Sequence, residues 1–124
     1  MILRLSLFFA AVLAFAVSAV PVLAHHGWGG NVDEVSSLTG VVVNGVSLSG
    51  PHATMKIKVE GQVWALTLAP PNQTVKSGLR EAKIPVGAAI TAHGHRSVDP
   101  KNFEIKTERI TFNGKTYNVY PDRT

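Results

Sequence analysis

The sequence contains no cysteine among its 124 residues, and this absence removes several classes of site. A disulfide framework, a thiolate metal centre, haem attached through cysteine, a lipid anchor on cysteine and a cysteine nucleophile are all excluded. A small domain without disulfides must be stabilised by its sheet and its hydrophobic core alone. Any bound metal therefore takes imidazole, carboxylate, amine or thioether ligands.

A single long apolar run opens the chain. A short basic start, the apolar stretch over residues 5–20 and the small residues Val22 and Ala24 have the layout of a secretory signal peptide. An uncleaved anchor helix of about 20 residues is the alternative, which the serines and the proline near the run disfavour. We predict that residues 1–24 are removed after Ala24. The mature protein would then be periplasmic or secreted, would start at His25 and would not be held in the membrane.

The predicted mature chain has only a small excess of positive charge. Removing residues 1–24 leaves 100 residues, enough for one small domain. Arg4 leaves with the leader, so 11 basic and 8 acidic side chains remain and the formal charge is +3. This surplus is too small to indicate a nucleic-acid partner, and we expect none.

From Leu38 onward apolar and polar residues alternate with period two, which is typical of β-strands. Glu60-Gly61 and Asn113-Gly114 predict tight hairpin turns. Turn residues divide the alternation into six predicted strands at 38–48, 52–60, 62–68, 88–97, 103–112 and 115–120.

Local breaks in the alternation predict irregular points in these strands. Gly40 and Gly45 mark bends or bulges in the first strand, and the apolar parity changes between Ile105 and Ile110, which predicts a bulge. The face of the third strand that we assign to the core carries Trp64, Leu66 and Leu68.

The stretch after the third predicted strand interrupts the alternation. Pro70 and Pro71 suit a helix start, Asn72 lies near its cap, and Val75 and Leu79 share a helical face. Three strands, a short helix, two strands and a final arm predict an all-β, OB-like barrel of five to six strands. An open sandwich or meander is the alternative. The predicted organisation is a signal peptide (1–24), an extended histidine- and glycine-rich tail (25–36) and a barrel domain (37–124).

The order of motifs along the chain resembles a family of small exported bacterial proteins of unknown function. The motifs are "AHHGW" after the leader, "GPHA" at the second strand, "KSGL" after "LAPP", and "VGAAITAHGHRSVD". Family members typically begin "AHHSF" when mature and carry "NPH" at the second strand. By position the resemblance marks His25, His26 and His52. The sequence departs from the pattern at Ser49-Gly50 and at His95, where an aromatic tyrosine is common.

The histidines are the candidate metal ligands. At a free amino terminus, His25 offers both its α-amine and its imidazole, and His26 adds a backbone nitrogen and a second imidazole. Ligation by nitrogen without thiolate suits Cu(II) best, with nickel and zinc behind. His93 and His95 lie on one face of a strand, about 6.5–7 Å apart, which allows both rings to reach one ion. Exposed histidines without a metal are the alternative for both pairs.

Two arguments give the amino terminus different partners. In an OB-type barrel the first and fourth strands are antiparallel neighbours, so the tail enters beside His95, whereas the family pattern pairs it with His52.

The leader and the histidines together predict an exported protein that captures or hands over copper and is not an enzyme. A protein- or ligand-binding module without metal, with another exported protein as its partner, is the alternative. A redox enzyme with a terminal copper site is a third hypothesis that no substrate-binding motif supports.

Overall fold

The computed structural model describes residues 28–123, which form a sheet of six strands with two short helices. The predicted signal peptide, His25 and His26 lie outside the described residues. Within 28–123 no helix is long and apolar enough to cross a membrane. In chain order the elements are β1 (Ser36–Ser47), β2 (Thr54–Val59), β3 (Gln62–Thr67), α1 (Pro71–Lys76), β4 (Ala89–Arg96), β5 (Glu104–Phe112), β6 (Lys115–Asn118) and a 3-10 helix (Pro121–Arg123).

The sheet closes on itself. Its strand order is β3-β2-β1-β4-β5-β6, with every neighbouring pair antiparallel. A further parallel pairing, from Ala65 opposite Glu104 to Thr67 opposite Lys106, joins β3 to β5 and completes a five-stranded barrel. β6 extends the sheet beyond the closed part. The predicted OB-like barrel with one helix between β3 and β4 is confirmed, and the open sandwich or meander is excluded.

Both predicted hairpin turns are present. Glu60 and Gly61 have φ angles of 47° and 83°, and Asn113 and Gly114 have φ angles of 54° and 79°. Positive φ at both central residues is the condition for a type I′ turn, whose twist matches that of the flanking strands. These turns fix the registers of the β2–β3 and β5–β6 hairpins.

The barrel interior is filled by apolar side chains of every strand and of the loops around α1. Ile57, Leu66 and Ile90 are buried as their strand parity predicts. Trp64 shares the face of Leu66, but it is only half-buried because it lies at the open end of the barrel, against the core rather than within it. The largest fully buried side chains are Met55, Ile57, Leu66, Leu68, Leu79, Ile84, Ile90, Ile105 and Ile110.

The short helix differs in detail from its prediction. Asn72 does not cap it, since the residue at the cap position is Pro70 and no side-chain cap bond forms. The buried residue of α1 is Thr74, whose hydroxyl donates to the Ala69 carbonyl at 2.8 Å, whereas Val75 is only half-buried. A hydroxyl that satisfies a backbone carbonyl can be buried on a helix without an unpaired polar group.

Bulges occur where the sequence predicts breaks. On β1 the register with β2 shifts twice between Val42 and Ser47, a segment that includes Gly45. Gly40 has a different role, because a Cβ there would lie 2.5 Å from the Lys58 carbonyl oxygen. On β5 the bulge lies at Glu108, because His93 of β4 pairs with Arg109 and the next residue, Gly94, pairs with Thr107.

Candidate functional site

The described part of the amino-terminal tail, residues 28–35, is held against the end of β4. Trp28 begins a turn that the Asn31 amide closes by donating to the Trp28 carbonyl at 2.9 Å, and Asn31 forms an isolated bridge with Ser97. Three more hydrogen bonds attach the segment: Val32 N–H to Arg96 O at 2.8 Å, Val98 N–H to Gly30 O at 3.0 Å, and Asn31 Nδ2 to His95 O at 2.9 Å. The segment therefore has a defined position against β4 and the loop that follows it.

Trp28 is the side chain that anchors this segment. Its ring meets those of His95 and Tyr120 edge to face, with centroids 5.4 Å and 4.9 Å apart. Two cations lie over the same indole: the Arg123 Cζ atom at 4.2 Å and the Lys106 Nζ atom at 4.6 Å from its centroid. These distances are within the range of favourable aromatic and cation–π contacts. The tail, β5 and the carboxyl-terminal helix thus meet at one indole ring.

His95 lies beneath Trp28 and is only 6% exposed. By strand alternation it belongs to the face opposite Ile90 and Ala92, so the tail rather than the core buries it. Its Nδ1 atom is 2.8 Å from the Val32 carbonyl oxygen, and its Nε2 atom is 2.5 Å from Glu108 Oε2. Because a carbonyl oxygen can only accept, the Nδ1 atom is the donor to Val32, and Nε2 bonds to the Glu108 carboxyl group.

Glu108 is the residue that the β5 bulge inserts, and it is 2% exposed. Besides His95, its carboxylate faces Arg109 Nη1 at 3.5 Å from Oε1 and Arg123 Nε at 3.8 Å from Oε2. Oε1 has no hydrogen-bond partner among residues 28–123. Burial of a carboxylate is costly unless cations and hydrogen bonds compensate for it. Here two arginines, from β5 and the terminal helix, and the His95 ring of β4 surround one carboxylate.

His93 has separate contacts from His95, although the two were predicted to share an ion. Its Nδ1 atom is 2.9 Å from the Ser37 hydroxyl of β1. Burial lowers the pKa of His93 below 6.5, and the nearby Arg109 cation lowers it further, while Glu108 acts in the opposite direction. A lowered pKa favours the neutral ring that a metal requires, but His95 does not present a free nitrogen beside it.

His52 lies in the loop between β1 and β2, beyond the end of β1 at Ser47. The tail meets the barrel at the opposite end of β1, where Ser36 pairs with Gly94. The structure therefore places His95 beside residues 28–35 of the tail and His52 near the opposite end of β1. Among residues 28–123, no group of three or more histidine or acidic side chains is arranged to hold a metal ion.

Sequence reasoning missed Glu108 and Trp28 as members of this site. The parity change between Ile105 and Ile110 indicated a bulge, and a charged residue at a bulge between apolar strand positions was the available signal for Glu108. Trp28 gave no such signal, because a lone tryptophan in a glycine-rich segment does not identify its contacts.

A cleft of about 430 Å³ opens at the same end of the barrel, between the tail and the β4–β5 loop. Trp64 and Phe103 meet edge to face at 5.3 Å, and the Arg96 guanidinium lies 5.0 Å over the Trp64 ring. Glu34 and Asp99 also line the cleft. Its volume is within the range of small-ligand sites.

The fold and these contacts define a small OB-like barrel with its amino-terminal segment docked on a buried histidine–glutamate pair. The chain belongs to DUF6152, a family of unknown function, whose sequence pattern it matches over residues 12–106. No curated protein matches the chain.

Similar solved structures bear on the fold alone. The chain is similar to part of apo TiaS, a tRNA(Ile2) agmatidine synthetase, with 16% identity and a TM-score of 0.50. The match covers 64% of this chain and 18% of that one. The TiaS–tRNA(Ile2)–ATP complex matches at 17% identity with a TM-score of 0.44, over the same shares of the two chains. The chain therefore spans less than a fifth of the proteins whose structures it resembles.

Proposed function

We propose that this is an exported, non-catalytic protein that binds copper through its amino terminus, at His25 and His26, and captures or hands over the ion. The proposal depends on removal of residues 1–24, which the layout of the leader supports. The α-amine and imidazole of His25, together with the backbone nitrogen and imidazole of His26, would supply the ligands. Cu(II) is the favoured ion because the set contains nitrogen and no thiolate.

The observation that carries the proposal is the anchoring of Trp28. Three peptide units separate His25 from Trp28, so their Cα atoms lie within roughly 11 Å of each other whatever the conformation between them. Trp28 is fixed by His95, Tyr120 and Arg123. A chelate at the amino terminus would therefore stay at this face of the barrel, where a partner could receive the ion.

His95 has a supporting role in this proposal. Both of its ring nitrogens are engaged, one with Val32 and one with Glu108, so coordination would break a buried hydrogen bond. Neither His95 nor His52 is required to complete the ligand set. His95 instead holds the segment that carries the chelate.

The test compares the processed protein with the same protein acetylated at its amino terminus. Acetylation removes the α-amine as a ligand and leaves every imidazole in place. We expect Cu(II) affinity, measured by competition with a chromophoric chelator, to fall by more than about tenfold. His95→Gln should leave the affinity closer to that of the unmodified protein than acetylation does.

Two results would contradict the copper proposal. Equal affinity in the acetylated and unacetylated proteins would exclude the terminal chelate. A processed protein that starts beyond His26, shown by intact mass, would remove the ligands altogether. In either case the cleft beside Trp64 favours the alternative, a metal-independent module that binds an organic ligand.

A further inference from the structure

The cleft at the open end of the barrel contains an arginine, Arg96, that has no carboxylate partner among residues 28–123. Arg96 is exposed, and its guanidinium lies over the Trp64 ring at 5.0 Å. No carboxylate among residues 28–123 lies within ion-pair distance of it, whereas both Arg109 and Arg123 are paired with Glu108. An arginine held over an aromatic ring without a carboxylate partner can still offer its N–H donors to a planar, bidentate acceptor.

Apolar surface adjoins this cation. Phe103 is 41% exposed and meets the edge of Trp64, and Val98, in the same loop, is 59% exposed. Both line the cleft together with Trp64. An apolar group placed here would cover surface that the fold leaves in contact with water, which is favourable in proportion to the area covered.

The acidic residues of the cleft limit what the site can bind. Asp99 Oδ1 already accepts the Lys101 amide at 3.0 Å within the β4–β5 turn. Glu34 is exposed and has no ion-pair partner among residues 28–123. With two carboxylates beside one guanidinium, net charge does not attract an anion to the cleft. An anion must make direct contact with the Arg96 donors to be bound.

We propose that this cleft binds a carboxylate that is attached to an apolar, preferably aromatic, body. The carboxylate would accept two hydrogen bonds from the edge of Arg96, and the body would lie against Phe103 and Val98 beside the Trp64 ring. Charge-assisted bidentate pairs of this kind are stronger than neutral hydrogen bonds and are specific in direction. A free aromatic acid and the carboxyl-terminal end of a peptide share this chemistry.

The experiment titrates the processed protein with N-acetyl-phenylalanine and, separately, with N-acetyl-phenylalaninamide, in the presence of a metal chelator. The two ligands differ only in the carboxylate, and the chelator makes the measurement independent of copper. Binding is followed by two-dimensional NMR of the indole N–H groups, where Trp64 reports on the cleft and Trp28 is the internal control. We expect the acid to shift the Trp64 signal with about tenfold or greater preference over the amide, which corresponds to about 1.4 kcal/mol.

Charge-matched variants separate direct contact from general attraction. Arg96→Gln should lose the preference for the acid, whereas Lys101→Gln, which removes the same charge from the neighbouring turn, should retain it. Glu34→Gln should strengthen binding of the acid, since it removes a like charge from the cleft. Tighter binding of a pentapeptide ending in phenylalanine than of the free acid would assign the ligand to a protein terminus; equal or weaker binding would assign it to a small acid.

Specific outcomes would overturn the proposal. Equal affinity for the acid and the amide would show that the cleft takes apolar groups without recognising a carboxylate. An Arg96→Gln variant that keeps the preference would show that another cation is responsible. A Trp64 signal unaffected by either ligand at millimolar concentration would exclude the cleft as a site for this class of compound.

Discussion

At the scale of single residues, Glu108 has two structural roles, one through its backbone and one through its side chain. It is the extra residue of a β-bulge, and its backbone carbonyl accepts hydrogen bonds from Val119 and Tyr120 at 3.0 and 3.1 Å. Its carboxylate is buried among His95, Arg109 and Arg123. The bulge thus directs the Glu108 carboxylate towards His95 of β4 and Arg123 of the 3-10 helix.

Glu108→Gln tests this role with little change in volume. It removes the negative charge opposite Arg109 and Arg123 and the acceptor that faces His95, and we expect the free energy of unfolding to fall by about 1–3 kcal/mol, as for a lost buried hydrogen-bond partner. Urea denaturation followed by far-UV circular dichroism measures this. Glu81→Gln is the matched control at an exposed position. Equal stability of the two variants would contradict the structural role of Glu108.

Gly94 is the second residue on which this bulge depends. A Cβ at this position would overlap the Lys106 carbonyl oxygen and would lie 2.8 Å from Thr107 Cα. Because backbone atoms cannot rotate away, we expect Gly94→Ala to destabilise the protein by roughly 1–3 kcal/mol or more. Gly30→Ala is the control, since nothing lies within 4 Å of a Cβ there. Similar melting temperatures for the two variants would argue against close packing of β4 on β5.

The lowered pKa of His93 makes a pH-dependent contribution to stability. The folded protein binds this proton less well than the unfolded chain, whose histidine has a pKa near 6.5. As pH falls from 6.5 towards the lowered value, the unfolded chain gains the proton first, so the free energy of unfolding decreases. Above 6.5 the contribution is constant. His93→Gln should therefore flatten the fall in stability on the acid side, measured by urea denaturation at several pH values; an unchanged pH profile would contradict this.

At the scale of elements, the tail segment 28–35 is the least expected feature. It contains no strand or helix, yet it is joined to β4 and the following loop by backbone hydrogen bonds. Trp28 packs against His95 and Tyr120 at the surface of the barrel, so the segment should be detachable without unfolding the barrel. Such segments are the low-stability units of a small protein.

Trp28→Ala tests this independence. We expect hydrogen exchange at the Val32 and Val98 amides to accelerate, because both amides bond across the interface between tail and barrel. Exchange in the β2–β3 hairpin should be nearly unchanged. Val86→Ala, at an exposed position elsewhere, is the control. Loss of protection in every strand would mean that the tail is an integral part of the folded core.

The sequence predicts those features of each element that depend on neighbouring residues, and it does not predict those that depend on tertiary contacts. The hairpin turns depend on local backbone angles that Asn113-Gly114 and Glu60-Gly61 favour, and strand parity depends on burial of alternate residues. These local signals were sufficient for the barrel. The pairing of His95 with Glu108 depends instead on the register between β4 and β5 and on one inserted residue. The half-burial of Trp64 depends on where the barrel ends, which no local pattern specifies.

At the scale of the whole molecule, the copper proposal predicts a dependence on pH that differs from that of stability. The α-amine titrates near ~7.7–8.0 and an unperturbed histidine near ~6.5, and both must lose protons to coordinate. Cu(II) affinity should therefore fall continuously as pH decreases from about 8 to about 5. Isothermal titration calorimetry at several pH values measures this, together with the protons released. Affinity that does not change over this range would be incompatible with amine and imidazole ligands.

The closed sheet also determines the order in which the chain can assemble. Four pairings join strands that follow each other in the chain, whereas β1 must pair with β4 and closure requires β3 to meet β5. Pairings between distant segments carry a large loop-closure entropy, so folding is slow relative to that of a helical bundle of equal length. Until residues 104–112 join, the edge of β3 stays unpaired and is open to strands of other chains. The nascent chain is therefore most prone to aggregation just before its fifth strand is complete.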